Sequence, residues 1–264
     1  MRTPVRSALS RAAGWVADRR IPRPLRSTVY RTYARFTGAD LAEVRDPLAD
    51  HASLADFFVR RLKDGARPIA SAREELSSPC DGTVQSIGAI EKGSVLQAKG
   101  RSYSIAELLA DETAAARCDG GQAWTIYLSP RDYHRVHVPE ASSLESLRRV
   151  PGSRYSVAPA VLDKRLVLPV NERAVFALRS SHGTYWLVMV GALNVGRIRI
   201  AGERGEGPGR IPRDFGRGEE LARFEMGSTV VLVTQPGAAR PLPGLAPGSP
   251  VRLGESIGTW LVRP

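Results

Sequence analysis

At 264 residues, the chain is long enough to bury a sizeable core as one domain or as two small ones. Its 42% hydrophobic and 25% charged residues are typical of a water-soluble globular fold and exclude a protein with several membrane spans. Its two cysteines, Cys80 and Cys118, are too few for a disulfide scaffold, and the apolar run from Tyr185 to Leu193 is far shorter than the roughly 20 residues of a transmembrane helix.

The N-terminal segment carries most of the excess positive charge. Residues 1–36 hold nine arginines and one acid, Asp18, which gives a local charge of +8 within a total of +11. Charge concentrated in this way favours contact with an anionic surface, either lipid headgroups or nucleic acid. The segment has no recognised nucleic-acid-binding motif, so we predict a lipid surface and no nucleic-acid partner.

Two apolar stripes at helical spacing run through this basic segment and predict two amphipathic helices separated by Pro22 and Pro24. The first stripe, beside Trp15, consists of Val5, Ala8, Leu9, Ala12 and Val16, and the second of Leu25, Val29, Tyr33 and Phe36. We predict that residues 1–50 form a basic amphipathic helical segment that contacts an anionic membrane. The alternative is that both stripes pack against the protein's own core.

From about residue 77 onward, short apolar runs alternate with turn residues, which predicts a mainly β body without a doubly wound sheet. Ile105–Leu109 is the one short helix expected there, and residues 201–217 and 235–250 are predicted loops. The candidate strands are Thr83–Ile90, Ala123–Leu128, Ser143–Val150, Ala174–Leu178, Thr184–Val190, Val195–Ile200, Arg223–Val233 and Ser256–Val262.

Three motifs in this body could together activate a serine. Asp81 lies in a Pro-Cys-Asp-Gly turn, His134 and His137 lie in the run from Tyr127, and Ser228 follows Gly227. An acid, a base and a hydroxyl are the set that nucleophilic catalysis requires. Taken singly, each has an ordinary interpretation: a turn aspartate, a histidine pair on a loop and a strand serine. No further ligand cluster accompanies the histidines, so we predict no metal site.

The order and wording of these motifs resemble the phosphatidylserine decarboxylase family. The run from Leu128 to His137 carries the resemblance most specifically, and the likeness covers most of residues 50–234 while fading in the first 45 and last 30 residues. Two positions depart from the family pattern: Cys80 replaces a small residue, and Ala222 replaces a glycine. Further matching runs are Phe57–Leu62, Leu96–Gly100, Asn171–Arg173 and Val190–Gly196.

The resemblance implies an α+β fold in which N-terminal helices precede a β-rich body like a barrel-sandwich hybrid. Residues 51–264 would form a self-cleaving catalytic domain that cuts itself between Gly227 and Ser228 and converts Ser228 into a pyruvoyl cofactor. In that scheme Asp81 orients His137, which is the base for cleavage. His134 would transfer a proton during decarboxylation.

The resemblance also implies an activity and its partners. The enzyme would be a carboxy-lyase that converts phosphatidylserine into phosphatidylethanolamine and CO2. It would lie peripherally on the cytoplasmic side of the cell membrane, and its own two chains would stay together after cleavage, with a homodimer left open. Two rival classes remain: a serine hydrolase, although no Gly-x-Ser-x-Gly motif surrounds Ser228, and a basic nucleic-acid-binding domain.

Overall fold

The computed structural model describes residues 17–98, 101–192, 198–202, 214–225 and 228–261. These residues form an α+β fold with few helices, as the sequence predicts. The helices are α1 (Arg23–Thr37), α2 (Leu54–Phe58), α3 (Ile105–Leu109), α4 (Glu112–Ala116) and α5 (Pro159–Leu162), with a 3-10 turn at Leu48–Asp50. The strands are β1 (Glu75–Ser77), β2 (Gly82–Ala89), β3 (Ser94–Ala98), β4 (Arg101–Ser104), β5 (Gln122–Leu128), β6 (Arg135–His137), β7 (Ser142–Val150), β8 (Arg173–Ser180), β9 (Gly183–Gly191), β10 (Ile198–Ile200), β11 (Asp214–Phe215), β12 (Glu220–Phe224), β13 (Ser228–Thr234), β14 (Ala239–Pro241), β15 (Pro250–Val251) and β16 (Ser256–Trp260).

An eight-stranded antiparallel sheet forms the centre of the body, in the order β11-β7-β8-β9-β13-β5-β2-β15. Smaller sheets have the orders β10-β12-β6, β1-β16-β14 and β3-β4. Across the described ranges none of these four sheets closes into a barrel. The likeness to a barrel-sandwich hybrid therefore stays a prediction, whereas the α+β class is confirmed.

Strand β13 lies in the middle of the large sheet, between β9 and β5. All seven of its residues are buried, including the apolar run Val230–Val233 and the three hydroxyl residues at its ends. Both neighbouring strands contribute large side chains to the same core, including Trp124 and Leu187. Because a strand with a neighbour on each side has its backbone groups paired along both edges, β13 is held firmly in place.

One predicted strand is wrong in an informative way. The run Arg223–Val233 reads as a single strand, but the chain forms β12 up to Phe224 and β13 from Ser228, and these strands belong to different sheets. A hydrophobic pattern reports burial and does not reveal which sheet a residue joins. The predicted loop 235–250 likewise contains β14, whose short pairing with β16 has no strong sequence signal.

Helix α1 confirms that the second apolar stripe is helical, but the stripe is not the face that packs on the protein. Leu25 is 55% and Phe36 is 85% exposed, whereas the buried residues of the helix are Tyr30 and Ala34, which lie outside the stripe. The helix ends at Gly38, whose positive φ of 82° closes a left-handed cap that glycine adopts without strain. The first predicted helix, over Val5–Val16, lies outside the described residues.

A small second core fixes α1 to the body. Tyr30 stacks on Phe57, and the Tyr30 hydroxyl donates to the carbonyl of His51 at 2.8 Å. These contacts cross residue 50, the predicted domain boundary, which itself stays a prediction. No helix in the described ranges combines the length and apolar character needed to cross a bilayer.

Candidate active site

Ser228 is fully buried at the first position of β13, where it pairs with Leu128 of β5 and Gly191 of β9. Its hydroxyl has no hydrogen-bond partner in the part of the chain that the structure describes. Buried hydroxyls almost always find a partner, so an unpaired one marks a candidate reactive group. Gly227, the predicted cleavage partner, lies outside the described residues.

A tight turn after Leu128 brings the histidine motif beside this serine. The Asp132 carboxylate accepts hydrogen bonds from the backbone and the hydroxyl of Ser129, at 2.6 and 2.7 Å. The chain then returns as β6, and the amide of Phe224 donates to the carbonyl of His134 at 2.9 Å. Ser228 pairs with Leu128, just before the turn, and Phe224 bonds to His134, just after it. His134 and Ser228 therefore lie on adjoining backbone segments.

His134 is buried and electrically neutral. Its Nδ1 donates to the carbonyl of Asp132 at 2.9 Å, and its ring lies 3.9 Å from that of Phe58 between centroids. Burial lowers the pKa of His134 to about 3, an effect that the charge of Arg60 reinforces. Its Nε2 is buried and, over the described ranges, has no hydrogen-bond partner. That nitrogen is therefore an unoccupied proton acceptor.

His137, at the end of β6, uses both ring nitrogens. Nδ1 donates to the carbonyl of Gly218 at 2.8 Å, and Nε2 accepts a longer bond of 3.3 Å from the hydroxyl of Tyr133. Burial lowers the pKa of His137, so the ring is neutral at neutral pH and Nε2 carries no proton. The Gly218 carbonyl thus fixes the tautomer and holds the ring, whereas the family resemblance implies that Asp81 orients it.

Asp81 bonds to an arginine instead of a histidine. Its carboxylate accepts from Arg67, with the shortest distance 2.6 Å, and from the amide of Leu253 at 2.8 Å. Arg67 also donates to Glu43 at 2.8 Å. We call Glu43, Arg67 and Asp81 the paired cluster, because each charge in it has an opposite charge beside it.

The structure nevertheless places Asp81 near His137. The amide of His137 donates to the carbonyl of Pro79, two residues before Asp81, at 2.8 Å. Among the described residues no hydrogen bond joins the two side chains directly. The aspartate lies close enough for its charge to raise the pKa of His137 slightly against the larger lowering by burial.

Arg60, which no sequence motif singled out as a site residue, is only 3% exposed. One terminal nitrogen donates to the carbonyl of Arg131 at 2.8 Å, whereas Nε and the other terminal nitrogen are buried without a partner in the described chain. The one sequence signal was its place in the Phe57–Leu62 run. We call Arg60, His134 and Ser228 the unpaired cluster, because each has a buried polar atom without a partner.

The remaining histidines make ring contacts with aromatic side chains. His51 packs edge-on against Tyr30 and Phe57, and His182 stacks on Trp260 with the two rings 5.2 Å apart and nearly parallel. Both are buried, in agreement with a structural role. Within the described ranges no group of three or more histidine, cysteine or acidic side chains is arranged to hold a metal ion.

Comparisons with known proteins point to one family. A family model described as phosphatidylserine decarboxylase matches residues 54–259. A protein of Anaeromyxobacter sp. (strain K) named phosphatidylserine decarboxylase proenzyme is 42% identical, and the alignment covers 96% of this chain and 94% of the relative. Proteins of the same name from Halorhodospira halophila (strain DSM 244 / SL1) and Myxococcus xanthus (strain DK1622) are 44% and 38% identical, covering 95% and 96% of this chain and 89% and 94% of the relatives. These alignments therefore extend beyond residues 50–234, the range to which the motifs alone limited the likeness.

Proposed function

Because the chain belongs to the phosphatidylserine decarboxylase family, we propose that it is a carboxy-lyase that converts phosphatidylserine into phosphatidylethanolamine and CO2. The observation that carries the proposal is the buried, unpaired hydroxyl of Ser228 on a segment adjoining His134. A hydroxyl in this state is free to act as a nucleophile once a base takes its proton.

We propose that the chain first cuts itself between Gly227 and Ser228. The Ser228 oxygen attacks the Gly227 carbonyl carbon, the peptide C–N bond breaks, and an ester replaces the amide. Loss of the Ser228 α-proton then expels the Gly227 carboxylate and leaves dehydroalanine, which takes up water and releases ammonia. The new C-terminal chain therefore begins with a pyruvoyl group where Ser228 stood.

The surroundings of Ser228 fit such a group. The side chain is fully buried, and the hydroxyl makes no hydrogen bond to described residues that its conversion would break. Once formed, the pyruvoyl group supplies an electron-withdrawing carbonyl that takes up the electrons released as CO2 leaves. Since β13 is hydrogen-bonded on both edges, the C-terminal chain should stay in the sheet after cleavage.

Three side chains then have separate tasks in this proposal. His137 is the base for self-cleavage, because its Nε2 lone pair is free of a proton at neutral pH. Asp81 supports it through its charge and through the paired cluster that fixes the Pro79 segment. His134 transfers a proton after CO2 has left; burial keeps it neutral, so it acts as a relay between solvent and substrate.

We further propose that α1 contacts the lipid surface on the cytoplasmic side of the cell membrane. Leu25, Val29 and Phe36 expose an apolar face on a helix that also exposes Arg31 and Arg35, the composition expected of an interfacial helix. The hydroxyl of Tyr33 donates to the carbonyl of Pro130 at 2.7 Å, within the turn that precedes His134. A helix lying on lipid would therefore lie beside the site that accepts a lipid.

An assay of carboxyl-labelled phosphatidylserine tests the activity directly. The purified protein should release labelled CO2 and form phosphatidylethanolamine in equal amounts. A serine hydrolase would release fatty acid or headgroup and no CO2, and a nucleic-acid-binding domain would do neither. Fatty-acid release without CO2 would refute the proposal.

A further inference from the structure

Arg60 is a buried cation without a counter-charge. No carboxylate within the described ranges lies in ion-pair distance of it, and burial lowers its pKa. The nearby acids are engaged elsewhere: Asp81 bonds to Arg67, and Asp132 bonds to Ser129. The ring of Phe57 lies 5.2 Å from the guanidinium, which offsets only part of the cost of burying a charge.

Two other buried arginines show what a purely structural arginine looks like in this fold. Arg135 donates to Glu220 at 2.6 Å and, through its remaining nitrogens, to the carbonyl of Val59. Arg173 directs all three nitrogens at backbone carbonyls. Arg60 is as deeply buried as either, but it leaves two nitrogens unsatisfied, although buried donors are rarely left so.

The location of Arg60 ties it to the active site. Its paired nitrogen bonds to the carbonyl of Arg131 at 2.8 Å and approaches that of Asp132 at 3.4 Å, which also accepts from His134. The preceding Phe58 packs on the His134 ring. The unsatisfied nitrogens therefore belong to the same group of segments as the proton-transfer histidine.

We propose that Arg60 binds the phosphodiester of the phospholipid substrate through a hydrogen bond from one of its two unpaired nitrogens. The inference rests on the proposed function and adds the recognition of the headgroup to it. Each unpaired nitrogen presents an N–H group that can donate a charge-assisted hydrogen bond to a phosphate oxygen, and an incoming anion supplies the missing counter-charge.

The substrate carboxylate is the less suitable anion for Arg60. A cation beside that carboxylate would stabilise the ground state, whose charge is lost as CO2 forms, and would raise the barrier to decarboxylation. The phosphodiester is unchanged by the reaction, so binding it holds the lipid without opposing the chemistry. The affinities of the enzyme for substrate and for product should then depend equally on Arg60.

Steady-state kinetics of the mature enzyme in mixed detergent micelles test this assignment. Arg60→Gln should raise KM for phosphatidylserine about tenfold or more, as expected for loss of a charged hydrogen bond, and should raise the inhibition constant of phosphatidylethanolamine by the same factor. The kcat should change little. Arg60→Lys keeps the charge but moves the donor away from the position of the guanidinium N–H groups, so it should show a smaller rise in both constants.

Arg61→Gln is the matched control, because it removes the same charge from the neighbouring, exposed arginine. It should leave both constants unchanged. Self-cleavage is read by intact mass for every variant, so a defect in maturation is seen separately from one in binding. If the wild type neither cleaves itself nor decarboxylates, the proposed function fails; if only the Arg60 effects are missing, this inference alone fails.

Three results would overturn the assignment. A rise in KM with unchanged product inhibition would assign Arg60 to the carboxylate, which the product lacks. Unchanged constants in Arg60→Gln would mean that the guanidinium does not meet the lipid. Failure of both Arg60→Gln and Arg60→Lys to cleave themselves would place Arg60 in folding or maturation.

Discussion

The paired and unpaired clusters lie on neighbouring segments but differ in whether their polar atoms have hydrogen-bond partners. In the paired cluster Arg67 bonds to both Glu43 and Asp81, and a backbone amide completes the carboxylate. In the unpaired cluster, buried atoms of Arg60, His134 and Ser228 have no partner among the described residues. Charged groups whose hydrogen bonds are all made hold the backbone in place. Polar atoms without partners remain available as the donors and acceptors that a reaction needs.

Removing the hydroxyl of the unpaired cluster should have the largest effect. Ser228→Ala should abolish CO2 release completely, because no nucleophile remains and no pyruvoyl group can form. Thr229→Val is the matched control: it removes another buried, unpaired hydroxyl that alternates to the opposite face of the same strand. It should retain decarboxylation. Equal loss of activity in both variants would mean that any substitution in this strand disrupts the enzyme and that the Ser228 hydroxyl has no specific role.

The two histidines should separate maturation from catalysis. His137→Ala should remain full-length because the cleavage base is lost, while His134→Ala should cleave itself but decarboxylate about 100-fold more slowly or worse. Gel analysis and CO2 release together distinguish the steps. The reverse pattern would assign the cleavage base to His134, whose Nε2 is the unpaired nitrogen of the two.

Breaking the paired cluster should lower the stability of the fold and also block self-cleavage. Asp81→Asn leaves Arg67 with one carboxylate, which should cost about 3 kcal/mol of unfolding free energy and block self-cleavage. Glu43→Gln is the comparison, because it breaks the other half of the pairing and leaves Asp81 in place. It should destabilise the chain and still permit cleavage. Cleavage by Asp81→Asn would remove Asp81 from the maturation machinery.

Acid should weaken the fold through the unpaired cluster. The folded-state pKa of His134 is lowered to about 3 from 6.5, so between these values the unfolded chain binds a proton that the folded chain does not. Stability is therefore lost as pH falls below 6.5, by about 1.4 kcal/mol for each pH unit. Denaturant unfolding of uncleaved Ser228→Ala, with and without His134→Gln, should show a shallower pH slope in the double variant. Identical slopes would contradict a buried neutral His134.

The smallest effect concerns the membrane. Removing residues 1–20 takes away five arginines and should weaken flotation with anionic vesicles at low salt, while leaving self-cleavage intact because the site lies in the body. Neutral vesicles are the control. Phe36→Ala should weaken flotation less, since one exposed ring is lost. Equal flotation of the truncated and full-length forms would assign the arginines to the solvated surface.

The sequence predicted long buried strands well because their apolar runs directly record burial. Ala123–Leu128 and Thr184–Val190 each lie within one residue of the strands observed. It could not predict the change of sheet between Phe224 and Ser228, since both flanks are equally apolar. Short strands such as Arg135–His137 were missed because their charged residues are buried by pairing with other elements.

The reactive residues of the candidate site could be predicted from the sequence, but their hydrogen-bond partners could not. The motif around His134 and His137 identified the two imidazole groups. The pairing of Asp81 with Arg67 depends on a loop that folds back over 14 positions, for which no local pattern exists. The burial of Arg60 likewise follows from the packing of α2 on the motif, which only the folded chain displays.

Intact-mass measurement of the purified wild-type protein tests the central claim most directly. The account predicts two chains, with the smaller one spanning residues 228–264 and lighter by one ammonia than simple hydrolysis would leave it. That chain should also react with phenylhydrazine, which modifies the new carbonyl, whereas Ser228→Ala should stay at full length and unmodified. A wild-type protein that shows catalytic activity as one uncut chain, or that is cut at another bond, would contradict it.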